Sequence, residues 1–138
     1  MADAVTDAVA IDLPLEPGSA RRAREQLEPF RKSLGERSFF DLRLLVSELV
    51  IEALNAESEA RDARIQMCVE LRDDRVHAEI SDGGAAYRVP PPHPEPGEPG
   101  WALYLVRRLS RRWGVRRDSE SSMVWLEMPR PQPGRPAT

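Results

Sequence analysis

The chain has 138 residues, of which 41% are hydrophobic and 31% charged, with a formal net charge of −3. This length supports one compact domain around a single core. No apolar run approaches the roughly 20 residues that a membrane-spanning helix needs, and the N-terminus lacks the basic and apolar regions of a secretory signal. Because both signals are missing, we expect a cytoplasmic protein without membrane contact. The net charge gives no overall attraction to nucleic acid.

The first half of the chain predicts an edge strand followed by two helices. Residues 10–15 alternate in polarity and precede a Pro-Gly turn, which is typical of an edge strand. Ser19 can cap a helix with apolar residues at steps of three and four, and Pro29 predicts a kink in it or an earlier end. A second helix is expected over residues 41–56, with a buried stripe of Leu42, Leu45, Leu49, Val50 and Ala53.

The second half predicts two hairpins separated by a proline-rich segment and a helix. Residues 65–80 alternate on both sides of an Arg-Asp-Asp-Arg turn, as a β-hairpin does. Six prolines within residues 90–99 exclude a helix or a central strand there. A helix is expected from Trp101 to about Trp113, and a second hairpin over residues 114–128.

These elements predict an α+β two-layer sandwich, in which a mixed, largely antiparallel sheet carries the helices on one face. Residues 1–9 are expected to be a flexible N-terminus, and residues 10–129 to form the domain. The tail at 130–138 is rich in proline and is expected to be disordered.

Charge is distributed unevenly within this predicted domain. Residues 107–117 contain six arginines and no acid, so this stretch carries +6 and the rest of the chain −9. On the predicted helix, four of the arginines share one polar face, which favours a solvated surface over DNA binding. An acidic protein partner for this stretch stays open.

Four short motifs occur in a characteristic order along the chain. They are LLVSELV at 44–50, EISDGG at 79–84, GWALYLVRRLSRRWGV at 100–115 and VWLE at 124–127. Together they resemble the ATP-binding fold shared by histidine kinases, Hsp90-type chaperones and bacterial anti-sigma factors that are serine kinases. The likeness is greatest to the short actinobacterial anti-sigma type, and it covers residues 10–129.

The resemblance implies an ATP-binding regulatory protein that controls transcription by binding a sigma factor, an antagonist of the anti-sigma factor, or both. An active member would be a serine/threonine-protein kinase that uses ATP and Mg²⁺. The alternative is a pseudo-kinase binding module of the same fold that has lost productive ATP and Mg²⁺ binding. Nucleic acid is not an expected partner, and whether the domain forms a homodimer stays open.

The resemblance also implies nucleotide contacts at two places. Asp82 would accept a hydrogen bond from the adenine amino group, and Gly84 would let the backbone approach the base. The helix that starts near Gly100 would offer free N–H groups and the positive end of its dipole to the phosphates. The implied contacts there are Gly100, Ala102 and Leu103.

Two acids on the second predicted helix have different implied roles. Glu48 would be the catalytic base that polarises the serine hydroxyl of a protein substrate. Four residues later the family places an asparagine that ligates Mg²⁺ and donates to phosphate, whereas this chain has Glu52. A carboxylate can ligate Mg²⁺, so Glu52 is the candidate metal ligand. When ionised, however, it donates no hydrogen bond and repels a triphosphate.

Two further departures from the family pattern favour weak nucleotide binding. Ala102 replaces a glycine that is common in the family, and would cost on the order of 1–2 kcal/mol if the site needs a left-handed backbone. The segment expected to cover ATP is stiffened by proline and carries two acids, Glu95 and Glu98.

Overall fold

The computed structural model describes residues 4–55, 64–82, 93–117 and 121–131. The strands are β1 Val5–Pro14, β2 Arg64–Arg72, β3 Arg75–Asp82, β4 Arg112–Arg117 and β5 Ser122–Pro129. The helices are α1 Ser19–Gln26, α2 Arg31–Leu34, α3 Glu36–Asn55 and α4 Trp101–Leu109. The strands form one sheet in the order β1-β2-β3-β5-β4, and every pairing in it is antiparallel. The predicted α+β sandwich is confirmed, but the sheet is antiparallel rather than mixed over the described strands.

The core lies between one face of this sheet and the helices. Alternate residues of β2 and β3 are buried, whereas the residues between them remain partly accessible. The stripe predicted on the second helix is buried on α3 at exposures of 0–3%. Each large apolar side chain buried in this way contributes about 1.5–3 kcal/mol, so the sheet and α3 together hold the fold in place. Within the described residues, no helix is both long and apolar enough to cross a membrane.

The N-terminal elements differ from the predicted ones in their bounds. β1 begins at Val5 rather than at residue 10, so residues 5–9 of the predicted flexible N-terminus pair with β2. The hydroxyl of Ser19 donates to the carbonyl of Pro14 instead of capping α1. The predicted break at Pro29 is confirmed, because a 3₁₀ turn over Glu28–Phe30 separates α1 from α2.

α4 ends earlier than the sequence predicts, which corrects the interpretation of the arginine-rich stretch. The helix stops at Leu109, because Ser110 is extended and its hydroxyl donates to the carbonyl of Val106. The chain then enters β4 at Arg112 and pairs with β5. The prediction that four arginines share one helical face is therefore wrong, since Arg111 and Arg112 lie beyond the helix. The second predicted hairpin is confirmed.

Candidate functional site

The start of α4 meets the side chain of Glu52 on α3. The backbone N–H of Gly100 donates to Oε1 of Glu52 at 2.6 Å. The N–H groups of Ala102 and Trp101 lie close enough to this carboxylate to lower its pKa, although the Trp101 N–H donates its own hydrogen bond to the carbonyl of Glu98. The structure thus brings together Glu52, Gly100 and Ala102, three of the residues predicted for the nucleotide site.

Local backbone geometry explains why α4 needs an external cap. Gly100 precedes the helix with φ +93°, a left-handed conformation that a glycine adopts without strain. As a glycine it has no side chain with which to satisfy the first N–H groups of the helix, which have no partner inside it. Glu52 supplies the missing acceptor from the preceding helix in the sequence, 48 residues away.

Burial and the N–H groups at the start of α4 shift the pKa of Glu52 in opposite directions. Desolvation raises the pKa of this carboxyl, and the negative charge of Glu48 adds to the increase. The N–H groups of Gly100, Ala102 and Trp101 lower the pKa but do not cancel the effect of burial. The net result is a raised pKa, so ionised Glu52 is less stable in this position than in water.

Glu48 lies one helical turn before Glu52 and is partly buried. Burial raises the pKa of its carboxyl, and a raised pKa makes the ionised form a stronger base. The preceding Ser47 is buried and accepts a hydrogen bond at 2.6 Å from the guanidinium of Arg24 on α1. This bond fixes the turn of α3 from which Glu48 projects.

The remaining residues of the predicted helix start belong to the core. Ala102 is fully buried and Leu103 is 3% exposed, both within the main apolar cluster. In the described part of the chain only glycines have a positive φ, so Ala102 carries no left-handed strain. The left-handed position is Gly100, two residues earlier.

Asp82 is the last residue of β3 and is only 5% exposed. It lies opposite Ser122 of β5, which is 4% exposed. The adenine contact that the resemblance implies for Asp82 stays a prediction. Gly84, the other predicted base contact, lies outside the described residues.

The α4 start fits a bound triphosphate poorly. The N–H groups that would face phosphate oxygens already face the carboxylate of Glu52, and a second anion there would be repelled. In the described ranges no three His, Cys, Asp or Glu side chains form a group that could hold a metal ion. Within those ranges, Glu52 is therefore not part of a ready-made cluster of such ligands for Mg²⁺.

Sequence reasoning missed two contacts of this site. These are the hydrogen bond between Arg24 and Ser47 and the bond between Gly100 and Glu52. A signal existed for the second, because the sequence Glu-Pro-Gly before Trp101 contains no serine, threonine, aspartate or asparagine directly before the helix. A helix start without its own capping side chain indicates that an acceptor comes from elsewhere.

Comparison with known proteins places this geometry in a family. The crystal structure of the RsbU and RsbW domains of Rv1364c from Mycobacterium tuberculosis superposes with a TM-score of 0.71 at 21% identity, which shows a shared fold. The match covers 92% of this chain but only 34% of that one. No curated protein sequence matches the chain significantly. The family model of the histidine kinase-like ATPase domain matches residues 13–128, and the chain therefore belongs to this family.

Proposed function

We propose that this chain is a cytoplasmic regulatory binding module that controls transcription by holding a sigma factor, or an antagonist of an anti-sigma factor, without a requirement for ATP. One observation carries the proposal, the 2.6 Å hydrogen bond between Gly100 and Glu52. This bond means that the start of α4, the end that would face phosphate, is already capped by a side chain of the same chain.

The chemistry of the cap supports loss of nucleotide binding. Phosphate binding at a helix start uses unpaired N–H groups and the positive helix dipole. Glu52 uses the same groups and contributes a negative charge of its own when ionised. Glu48 adds a second acid one turn away. A nucleotide would have to displace the first carboxylate while being repelled by the second.

An ATP-dependent serine kinase is the second candidate, and two observations favour it. Asp82 is buried at the strand end where the family resemblance puts the adenine contact. Glu48 has a raised pKa because of burial, as suits a base that accepts the proton of a serine hydroxyl. In that case Glu48 would polarise the substrate hydroxyl, and Glu52 would have to leave the start of α4.

Nucleotide dependence is tested by thermal unfolding of the native chain with and without Mg-ATP. A ligand at a hundred times its Kd adds about 2.7 kcal/mol of stability, whereas we expect no shift in melting temperature up to millimolar Mg-ATP. Glu52→Asn should gain a measurable shift, because it removes the charge and shortens the cap. Glu48→Gln is the matched control, since it removes one charge from the same helix but leaves the cap in place. Micromolar affinity in the native chain would overturn the proposal.

Partner binding is tested with purified sigma factors and anti-sigma antagonist proteins encoded in the same genome. Each is measured against the native chain by calorimetry in the presence of EDTA and again with Mg-ATP. We expect one of them to bind with the same Kd under both conditions. Binding that appears only with Mg-ATP would favour the kinase, and binding of none would refute the regulatory role.

A further inference from the structure

The six arginines of residues 107–117 lie at the end of α4 and on or directly before β4. Arg107 and Arg108 are on the last turn of α4. The other four lie directly before β4 or on it, namely Arg111, Arg112, Arg116 and Arg117. All six are exposed. We call β4 with these six arginines the basic edge.

β4 is a terminal strand of the sheet. It pairs with β5 along its full length, and in the described ranges no strand pairs with its other side. An edge of this kind presents backbone N–H and C=O groups that can accept an additional extended chain. Trp113 lies within the strand and is 37% exposed, which offers an apolar contact beside the charges.

The charge of the basic edge is largely uncompensated. Only Arg112 has a carboxylate within ion-pair distance in the described part of the chain, Glu127 at 3.6 Å, and this arginine remains 72% exposed. Arg108 lies over the ring of Tyr104 at 5.6 Å, which leaves its positive charge intact. The edge thus combines a strand side with which no described strand pairs and six exposed positive charges.

We infer that the basic edge docks an acidic, extended segment of another protein, which adds to the sheet beside β4 as a sixth strand. The main-chain groups of β4 would supply its hydrogen bonds, and the arginines would select for aspartate and glutamate. This inference deepens the proposed function, on which it rests for the partner being a protein, by naming the surface and the chemical class of the segment.

Two other occupants fit this edge less well. Pairing with β4 of a second copy would put arginines opposite arginines, which destabilises strand pairs. Nucleic acid would be repelled by the net charge of −9 on the rest of the chain. Its backbone also has no amide groups with which to continue the hydrogen-bond ladder of β4. An acidic peptide can pair with the arginines through its carboxylates and can continue the hydrogen-bond ladder of β4 through its own amide groups.

The test measures fluorescence anisotropy of three labelled probes with the full chain, without nucleotide. The probes are the peptide Glu-Val-Glu-Val-Glu-Val-Glu, the same peptide with alternate backbone nitrogens methylated, and a single-stranded oligo-dT. We expect the first peptide to bind, to weaken as NaCl increases, and to lose at least tenfold in affinity on methylation. Equal binding of the methylated peptide, no peptide binding, or binding of oligo-dT alone would each overturn the inference.

Paired variants locate the binding surface. The double variant Arg112→Glu with Arg116→Glu should weaken peptide binding at least tenfold. Arg21→Glu with Arg22→Glu is the matched control, because it makes the same charge change on exposed positions of α1 and should leave the Kd within twofold. If the first pair fails to fold by circular dichroism, Arg112→Gln with Arg116→Gln replaces it, and unchanged affinity in that pair refutes the assignment.

Sedimentation velocity of the native chain distinguishes a second copy from a foreign segment. Salt-sensitive self-association that the β4 variants abolish would assign the edge to another copy's acidic β1, and would overturn the inference. The peptide measurements contain no nucleotide, so a failure of the peptide to bind would not change the outcome of the Mg-ATP thermal-shift test. A nucleotide requirement found in that test would likewise not change the peptide-binding result.

Discussion

Glu52→Ala is the sharpest perturbation of the candidate site, because it removes the acceptor at the start of α4 without inserting a new group. In the native chain the carboxylate accepts the N–H of Gly100 at 2.6 Å and also faces Trp101 and Ala102. Gly100 itself is buried, so its N–H has restricted access to water once the carboxylate is gone. We expect a loss of stability together with a new capacity to bind small anions.

Opposing contributions set the size of the loss. Removal of a helix cap costs about 0.5–2 kcal/mol, and an unsatisfied buried donor costs about 1–3 kcal/mol. Part of this is offset, because the raised pKa of Glu52 means that its charge is poorly solvated in the fold. We therefore expect a net loss of about 1–2 kcal/mol, close to the usual cost of a cap. With an unfolding entropy of about 2.1 cal/mol/K per residue, this corresponds to roughly 3–7 °C in Tm for a chain of this size.

Urea unfolding followed by tryptophan fluorescence at pH 7 measures this loss. Glu52→Gln is the control, since its amide oxygen can still accept the N–H of Gly100, and it should lose less than about 1 kcal/mol. Inorganic phosphate at constant ionic strength should restabilise Glu52→Ala more than the native chain, because an anion can occupy the freed helix start. Native stability in Glu52→Ala, or equal phosphate effects on both proteins, would show that the carboxylate does not fill an anion site.

The remaining predictions concern pH and packing. Because the folded pKa of Glu52 is raised above the ordinary 4.5, its contribution to the free energy of unfolding is lost as pH rises from 4.5 to the folded pKa. Urea unfolding from pH 4 to 7 should therefore show a smaller fall in stability for Glu52→Gln than for the native chain, and identical profiles would contradict this. Burial alone would raise the pKa of Glu127, but hydrogen bonding, led by His77, lowers it overall below the ordinary 4.5. Its contribution to stability is therefore lost as pH falls below that value, and Glu127→Gln should reduce this acid-side loss when the urea series is extended below pH 4. Gly114→Ala would place a Cβ 2.5 Å from the indole nitrogen of Trp125 and should cost about 1–3 kcal/mol; wild-type stability by urea unfolding would disprove the clash.

Periodicity was sufficient to predict the fold where one face of an element is buried. The alternation of residues 65–80 and the apolar stripe of α3 both lie against the core, so hydrophobic burial and local pattern agree. The end of α4 was predicted wrongly for the opposite reason. Beyond Leu109 the apolar spacing continues at a helical period, but Ser110 bonds back to Val106 and the pairing of β4 with β5 determines the local structure.

The sequence draws attention to the residues that meet at the start of α4, but not to the contact between them. The motifs point to Glu52 and Gly100 separately, and the family resemblance implies a metal ligand beside phosphate at position 52. The hydrogen bond between them joins residues 48 positions apart, and no local pattern reports on a contact of that separation. What periodicity does provide is the orientation of α3, which points Glu52 away from the stripe that packs on the core.

If the start of α4 is the phosphate site that the family resemblance implies, Glu52 competes with phosphate there, because its carboxylate already accepts the N–H of Gly100. A carboxylate tethered to α3 is always present beside α4, so an incoming anion must first displace it. The apparent affinity then falls by the fraction of molecules in which the helix start is open. If the cap contributes about 1.4 kcal/mol, that fraction is about one tenth, before repulsion by Glu48 is counted. We therefore expect weak nucleotide binding from this geometry, although the chain belongs to the histidine kinase-like ATPase domain family.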